Sequence, residues 1–202
     1  MLSKTLYLLR HSQSTYNKIG IIQGDIDTPL SDEGKAEVKK MAKVFKNFEF
    51  ENVVHSPLAR AKQTAEYINE HLNLPMQVKE DLKEMDFGDW SANTKVDGWI
   101  QYRTDFYEHG KPPPGGESKK ELFTRGANAI HEICLEVDDD PILIVGHGML
   151  FRVVLGEWFT NSTEKEIRQL KMGNLALYEV EVKYDVDRIL PKKHKYIDIY
   201  NL

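Results

Sequence analysis

Apolar and polar positions change period repeatedly along this chain, and each change marks a predicted element. Leu6, Leu8 and Leu9 belong to a short apolar run that stops at Arg10-His11, the pattern of a buried strand ending on a cation and an imidazole. Residues 18–30 are polar and contain glycine, a loop. Ser31 reads as a helix N-cap with Asp32 and Glu33 in the first turn, where the helix dipole favours acids. Val38, Met41, Ala42 and Phe45 then recur at helical spacing to about Asn47. Asn52–His55 is a short strand. Ser56-Pro57 reads as a cap followed by proline at the first helical position, opening a helix striped by Leu58, Ala61, Ala65, Ile68 and Leu72.

Further along, Pro75–Lys79 predicts a strand, Glu84–Trp90 a loop and Lys95–Tyr107 an aromatic-rich helix. Lys111-Pro-Pro-Pro-Gly-Gly is a stiff loop. Ser118 and Glu121 form a capping-box pattern ahead of a helix to about Glu136. Pro141–Val145 is the best strand in the chain and ends at Gly146-His147-Gly148. Helices follow over 149–158 and 163–170, then alternating strands over 175–183 and 195–200. Strands alternating with helices predict an α/β fold, a three-layer α/β/α sandwich with a largely parallel mixed sheet. Ligands in such sheets bind beyond the carboxyl ends of the strands, so His11 and His147 are expected at one shared edge.

Length and composition narrow the possibilities. At 202 residues the chain suits a single domain, 1–202, with 86–117 as an excursion covering the pocket. A net charge of −5 does not suit a nucleic-acid binder, so an anionic ligand must be drawn by a local cluster. Cys134 is the single cysteine, which rules out an intrachain disulfide and suits a reducing compartment. With no signal-like opening and no long apolar segment, a cytoplasmic protein with neither membrane nor nucleic-acid partner is expected.

Several chemistries fail on their patterns. The seven histidines include no His-Glu-x-x-His and there is no cysteine pair, so no metal site is expected. Gly34-Lys35 ends like a phosphate loop, but the position five earlier is Pro29; Gly146-x-Gly148 has Phe151 where a third glycine belongs. No Gly-x-Ser-x-Gly elbow exists, and Cys134 lies in a helical apolar stripe, a core position. What remains is phosphate. Arg10 and His11 end one strand, His147 ends another, and Arg60 opens a helix, a receptacle of guanidinium forks and helix N–H groups suited to a tetrahedral dianion.

These residues stand within longer blocks. Leu9-Arg10-His11-Ser12-Gln13-Ser14-x-x-Asn17 leads to Gln23-Gly24-x-x-Asp27-x-Pro29-Leu30-Ser31-x-x-Gly34. Ser56-Pro57-Leu58-x-Arg60-Ala61-x-Gln63-Thr64-Ala65, Leu82-x-Glu84-x-x-Phe87-Gly88-x-Trp90, Pro114-Gly115-Gly116-Glu117-Ser118 and Val145-Gly146-His147-Gly148 follow in order. The whole resembles the histidine phosphatase superfamily, in its phosphoglycerate-mutase-like branch. Three positions depart from that pattern: Ser12 replaces a usual glycine, Ser14 a usual threonine, and Ser91-Ala92 a usual Glu-Gly.

The resemblance implies a phosphoglycerate mutase-like fold and a metal-independent phosphomonoester hydrolase acting on a small phosphorylated metabolite. His11 would be the nucleophile and form a phosphohistidine. Arg10, Arg60 and His147 would hold the phosphoryl oxygens, joined by Asn17, Gln23 and Gly148. Glu84 would protonate the leaving group and then activate water, a task needing a carboxyl whose pKa lies well above about 4.3. No cofactor is implied. The alternatives are a 2,3-bisphosphoglycerate-dependent phosphoglycerate mutase, with the bisphosphate as its cofactor, and an inactive regulator that binds a phospho-ligand. Lys95, Arg103, Lys111, Lys119 and Lys120 are candidates to meet a second anionic group on the substrate. A monomer and a homodimer are both compatible with the sequence.

Overall fold

The computed structural model describes residues 1–94, 105–107, 109–160 and 164–202. One six-stranded sheet organises them, with strands β1 (Leu2–Arg10), β2 (Asn52–His55), β3 (Met76–Val78), β4 (Ile142–Gly146), β5 (Leu177–Tyr184) and β6 (Ile189–Ile197). The spatial order is β3-β2-β4-β1-β5-β6. The β3-β2, β2-β4 and β4-β1 pairs are parallel, and the β1-β5 and β5-β6 pairs antiparallel. The expected mixed sheet is therefore present, with its parallel part at the chemistry-bearing strands.

Burial explains why β4 reads as an uninterrupted apolar run. Ile142 and Ile144 join Leu6, Leu8 and Val54 in the core on one face, while Leu143 and Val145 join Leu9, Val53 and Ile68 on the other. A strand buried on both faces has no polar side to show, and each such side chain contributes about 1.5–3 kcal/mol of apolar burial. The helices are α1 (Thr15–Ile19), α2 (Asp32–Met41), α3 (Ala59–Leu72), α4 (Lys119–Glu136), α5 (Gly148–Phe159) and α6 (Glu164–Gln169). Cys134 is buried, as its core position predicts, and burial pushes its thiol up to about 12. Among the described residues no helix is long and apolar enough to cross a membrane.

The caps show where local signals hold and where they mislead. The Ser31 hydroxyl accepts the Gly34 N–H at 3.0 Å, and Ser118 and Glu121 form the expected capping box. Ser56 does not cap α3. That helix begins at Ala59 after Leu58, and the Ala59 N–H donates to Asp27 Oδ1 at 2.6 Å, so the cap comes from the loop ahead of α2. Three other boundaries shift. The helix expected to run to Asn47 is α-helical only to Met41 and continues as a 3-10 segment to Phe48. The last strand is Ile189–Ile197, and Tyr200 lies in a turn beyond it. The short α1 was not expected, and its last two residues fall in the stretch 18–30 read as a loop. The helix expected over 95–107 lies outside the described residues except at 105–107, which are helical.

Candidate active site

The parallel register sets Arg10 beside Gly146 and His55 beside Val145, so β1, β4 and β2 end together. At that edge lies a cavity of about 180 Å³, lined by Arg10, His11, Asn17, Gln23, Gly24, Arg60, Glu84, Gly148 and Arg152 together with Ile21, Ile22, Phe87, Met149 and Met172. Seven of the eight site residues expected from the sequence line it. His147 does not; its ring packs against His11 instead, with centroids 5.2 Å apart.

His11 is held in one tautomer. Its Nδ1 lies 2.6 Å from the Ser12 carbonyl oxygen, which only accepts, so Nδ1 carries the proton and Nε2 keeps its lone pair. Burial, reinforced by the charges of Arg10 and Arg60, pushes the ring's pKa well below the usual histidine range. The imidazole is therefore neutral at pH 7. Ser12, the departure from the usual glycine, imposes no strain: among the described residues positive φ outside glycine is confined to Glu49, Asn73, Ala92 and Leu175. The Ser12 N–H donates to Thr64 Oγ1 at 3.1 Å and its hydroxyl to the Gly34 carbonyl at 2.9 Å, which anchors the carbonyl that holds His11.

The cations are arranged by backbone oxygens. Arg60 is fully buried and donates to the carbonyls of Gly24 and Ile26 at 2.7 and 2.8 Å, so loop and helix clasp each other through Asp27 on one side and Arg60 on the other. Burial, eased by Glu84 and Asp27, brings its pKa down to about 10, still cationic at neutrality. Arg10 donates to the Met172 carbonyl at 2.5 Å. Its guanidinium lies against Gly148, where an added Cβ would sit 3.1 Å from Nε. Ser56 Oγ accepts the Leu58 N–H at 3.3 Å and is hydrogen-bonded to His147 Nε2 at 2.7 Å. Burial depresses the pKa of His147 too, helped by Arg60.

One regularity ties these groups together. Among the described residues, every buried side-chain nitrogen without a hydrogen-bond partner belongs to Arg10, Arg60, His147 or Arg152. Buried donors are normally satisfied, and leaving one unpaired costs about 1–3 kcal/mol. Three of these residues, Arg10, Arg60 and Arg152, line the cavity, and His147 packs beside it against His11.

Glu84 lines the same cavity. Its carboxylate accepts the N–H groups of Met85 at 2.9 Å, Leu150 at 3.0 Å and Met149 at 3.1 Å, the last two from the first turn of α5. Its backbone is pinned by Arg125, which donates to the carbonyls of Asp81, Lys83 and Glu84 and pairs with Glu117 at 2.8 Å. The amides of Asn17 and Gln23 are oriented by neighbours. Gln23 Oε1 accepts from Ser14 Oγ and Thr28 Oγ1, and Asn17 Oδ1 accepts from Asn174 Nδ2 at 3.4 Å, so each NH2 is left for the cavity.

The chain has relatives among known proteins. A model of the histidine phosphatase superfamily, branch 1, matches residues 6–191. The chain belongs to that superfamily. PhoE, an uncharacterized phosphatase of Bacillus subtilis (strain 168), is 30% identical over 90% of each chain. A 2,3-bisphosphoglycerate-dependent phosphoglycerate mutase of Brucella ovis is 31% identical over 76% of this chain and 81% of its own. The solved structure of a mycobacterial glucosyl-3-phosphoglycerate phosphatase with VO3 superposes with a TM-score of 0.80 at 26% identity, covering 94% of this chain and 96% of that one. Phosphatases and mutases thus both stand among this histidine phosphatase's relatives.

Arg125, Asn174, Ser56 and Arg152 were missed as site residues in the sequence. Conversely, Lys119 pairs with Glu157 at 2.8 Å and Lys111 with Asp105 at 3.6 Å, and neither they nor Lys120 line the cavity. Lys95 and Arg103 lie outside the described residues.

Proposed function

We propose that this protein hydrolyses small phosphomonoesters through a phosphohistidine at His11. The observation that carries the reading is the His11 tautomer: Nδ1–H is spent on the Ser12 carbonyl, and the neutral ring's Nε2 is the nucleophilic lone pair beside two guanidinium groups. In the first step Nε2 bonds to phosphorus as the bond to the ester oxygen breaks, and Glu84 delivers its proton to that oxygen. In the second step water gives a proton to the Glu84 carboxylate and attacks phosphorus, and the N–P bond breaks to release inorganic phosphate. Splitting one displacement into two lowers each barrier.

Arg10, Arg60 and His147 meet the phosphoryl oxygens, with the Asn17 and Gln23 amides and the Gly148 backbone completing the cradle. Their fixed positions matter because phosphoryl transfer is accelerated mainly by preorganised charge. No metal or cofactor takes part in this scheme, and its partner is a small phosphorylated metabolite in the cytoplasm. The relatives' names point the same way, toward phosphoserine and glucosyl-3-phosphoglycerate. The test is release of inorganic phosphate from a panel of alkyl and aryl phosphomonoesters in chelator-treated buffer, with 2,3-bisphosphoglycerate added in parallel. Phosphate release supports the proposal. Interconversion of phosphoglycerates dependent on the bisphosphate would replace it with a mutase, and binding without turnover with a regulator.

A further inference from the structure

Ser12 stands in place of the usual glycine, and its carbonyl holds His11. Its side chain gives that peptide a handle that glycine lacks. The single hydroxyl proton is shared between two acceptors, the Gly34 carbonyl at 2.9 Å and Glu37 Oε2 at 3.1 Å. Gly34 and Glu37 lie three residues apart on α2 and so share a face. The helix is pressed onto the chain just after His11: a Cβ at Gly34 would sit 2.0 Å from the Gln13 carbonyl oxygen. That oxygen also accepts the Ser31 N–H at 2.9 Å, while the Ser12 N–H is held by Thr64. The hydroxyl is therefore the third tether of the backbone that meets His11.

Glu37 is gripped in turn by the far end of the chain. Tyr200 donates its hydroxyl to Glu37 Oε1 at 2.6 Å, across 163 positions. The turn that carries Tyr200 is built to aim it. Ile199 is buried in the same core as Leu9 and Val145. Asp198 Oδ1 accepts the Tyr200 N–H at 3.2 Å, and Asp198 Oδ2 accepts from Asn201 Nδ2 at 2.9 Å. Burial and the Glu37 carboxylate push the pKa of Tyr200 up, so the phenol stays protonated and donates. A hydrogen bond from a hydroxyl to an ionised carboxylate is among the stronger kinds.

We propose that Glu37 and Tyr200 are positioning residues for the nucleophile: by holding the Ser12 hydroxyl they fix the direction of the Ser12 carbonyl, and with it the tautomer and aim of His11. The inference rests on the phosphohistidine reading and joins the C-terminal turn to its first step. Neither residue lines the cavity. Arg10 and Arg60 are anchored on the carbonyls of Met172, Gly24 and Ile26, not on α2. Loosening Glu37 is therefore expected to disturb attack on phosphorus and leave phosphate binding in place.

Imidazole ¹⁵N–¹H spectra, with His11 assigned by its loss in His11→Ala, read the tautomer directly. The wild-type ring is expected in the Nδ1–H form and the Glu37→Ala ring as a mixture of the two neutral forms. Glu37→Gln, whose amide oxygen still accepts, should stay closer to the wild type. On an aryl phosphate, Glu37→Ala should lower kcat/KM about 10- to 100-fold and Tyr200→Phe about 3- to 10-fold. The inhibition constant of inorganic phosphate should shift by less than about twofold, because the guanidinium anchors are untouched. The Tyr200→Phe loss should vanish in a Ser12→Ala background, where the hydroxyl through which it acts is gone. Three results would overturn the assignment: an unchanged tautomer in Glu37→Ala, a Tyr200→Phe loss of equal size with and without the Ser12 hydroxyl, or phosphate inhibition weakening in step with kcat/KM. The spectra need no turnover. A wild type that hydrolyses nothing therefore overturns the phosphatase reading alone, while the positioning of His11 stands or falls on the tautomer.

Discussion

The cations of the cavity are held on two different plans. Arg60, together with His11 and His147, is buried to 2% exposure or less, and each of the three is oriented by a backbone carbonyl or a buried hydroxyl. Arg152, by contrast, has one long hydrogen bond among the described residues, and methionines form part of the cavity wall. Rigid, pre-aimed donors suit a group present in every substrate and most strongly charged in the transition state. A flexible apolar wall suits the part that varies between substrates. The contrast predicts that damage to the first plan slows all esters alike, and damage to the wall sorts them.

Arg60→Lys is the sharpest way to break the first plan, because an ammonium cannot hold the Gly24 and Ile26 carbonyls and also face the phosphoryl group. Steady-state assays should show kcat/KM down about 10²- to 10³-fold on aryl and alkyl esters equally. Glu84→Gln tests the boundary between the two. Alkyl phosphates, whose leaving oxygen needs a proton, should lose about 10²- to 10⁴-fold, and aryl phosphates far less. Equal losses would remove Glu84 from the acid role. Gly148→Ala is milder: its Cβ would crowd Arg10 Nε and tilt the guanidinium, costing about tenfold in kcat/KM.

Titration sharpens the same comparison with a smaller effect. His11 and His147 are both held neutral below the ordinary histidine pKa of about 6.5. Below that value the unfolded chain takes up protons that the folded chain refuses. Stability is therefore complete above about pH 6.5 and falls as pH drops, by up to about 1.4 kcal/mol per pH unit for each ring. Urea melts from pH 7.5 to 5 should show this decline, and His147→Asn should flatten part of it. A melt independent of pH in that range would mean the rings are not held neutral.

The clamp was legible because its residues fall at strand and helix ends, where spacing and chemistry coincide: Arg10-His11 after β1, His147 after β4, Arg60 in the first turn of α3. Ser56 was misread because Ser-Pro is a local cap signal, while the group that satisfies Ala59 is Asp27, supplied across space. Freed from capping, the Ser56 hydroxyl serves His147. Arg125 and Arg152 sit in mid-helix at ordinary spacing, and nothing local distinguishes them from solvated charges; their roles arise only when α4 and α5 pack beside the Glu84 loop. The same holds for Asn174, which donates to the His11 carbonyl at 3.1 Å across 163 positions. Helix α1 was lost for a different reason. Its five residues carry no apolar stripe and are held by the Ser14 cap and by Gly20, whose φ of 73° ends the turn.

The most direct measurement is rapid acid-free quenching of the enzyme during turnover of a radiolabelled phosphomonoester, followed by peptide mapping. The account predicts a base-stable, acid-labile phosphate on the peptide containing His11, absent from His11→Ala and longer-lived in Glu84→Gln. Label on another residue, or turnover by His11→Ala at the wild-type rate, would contradict it.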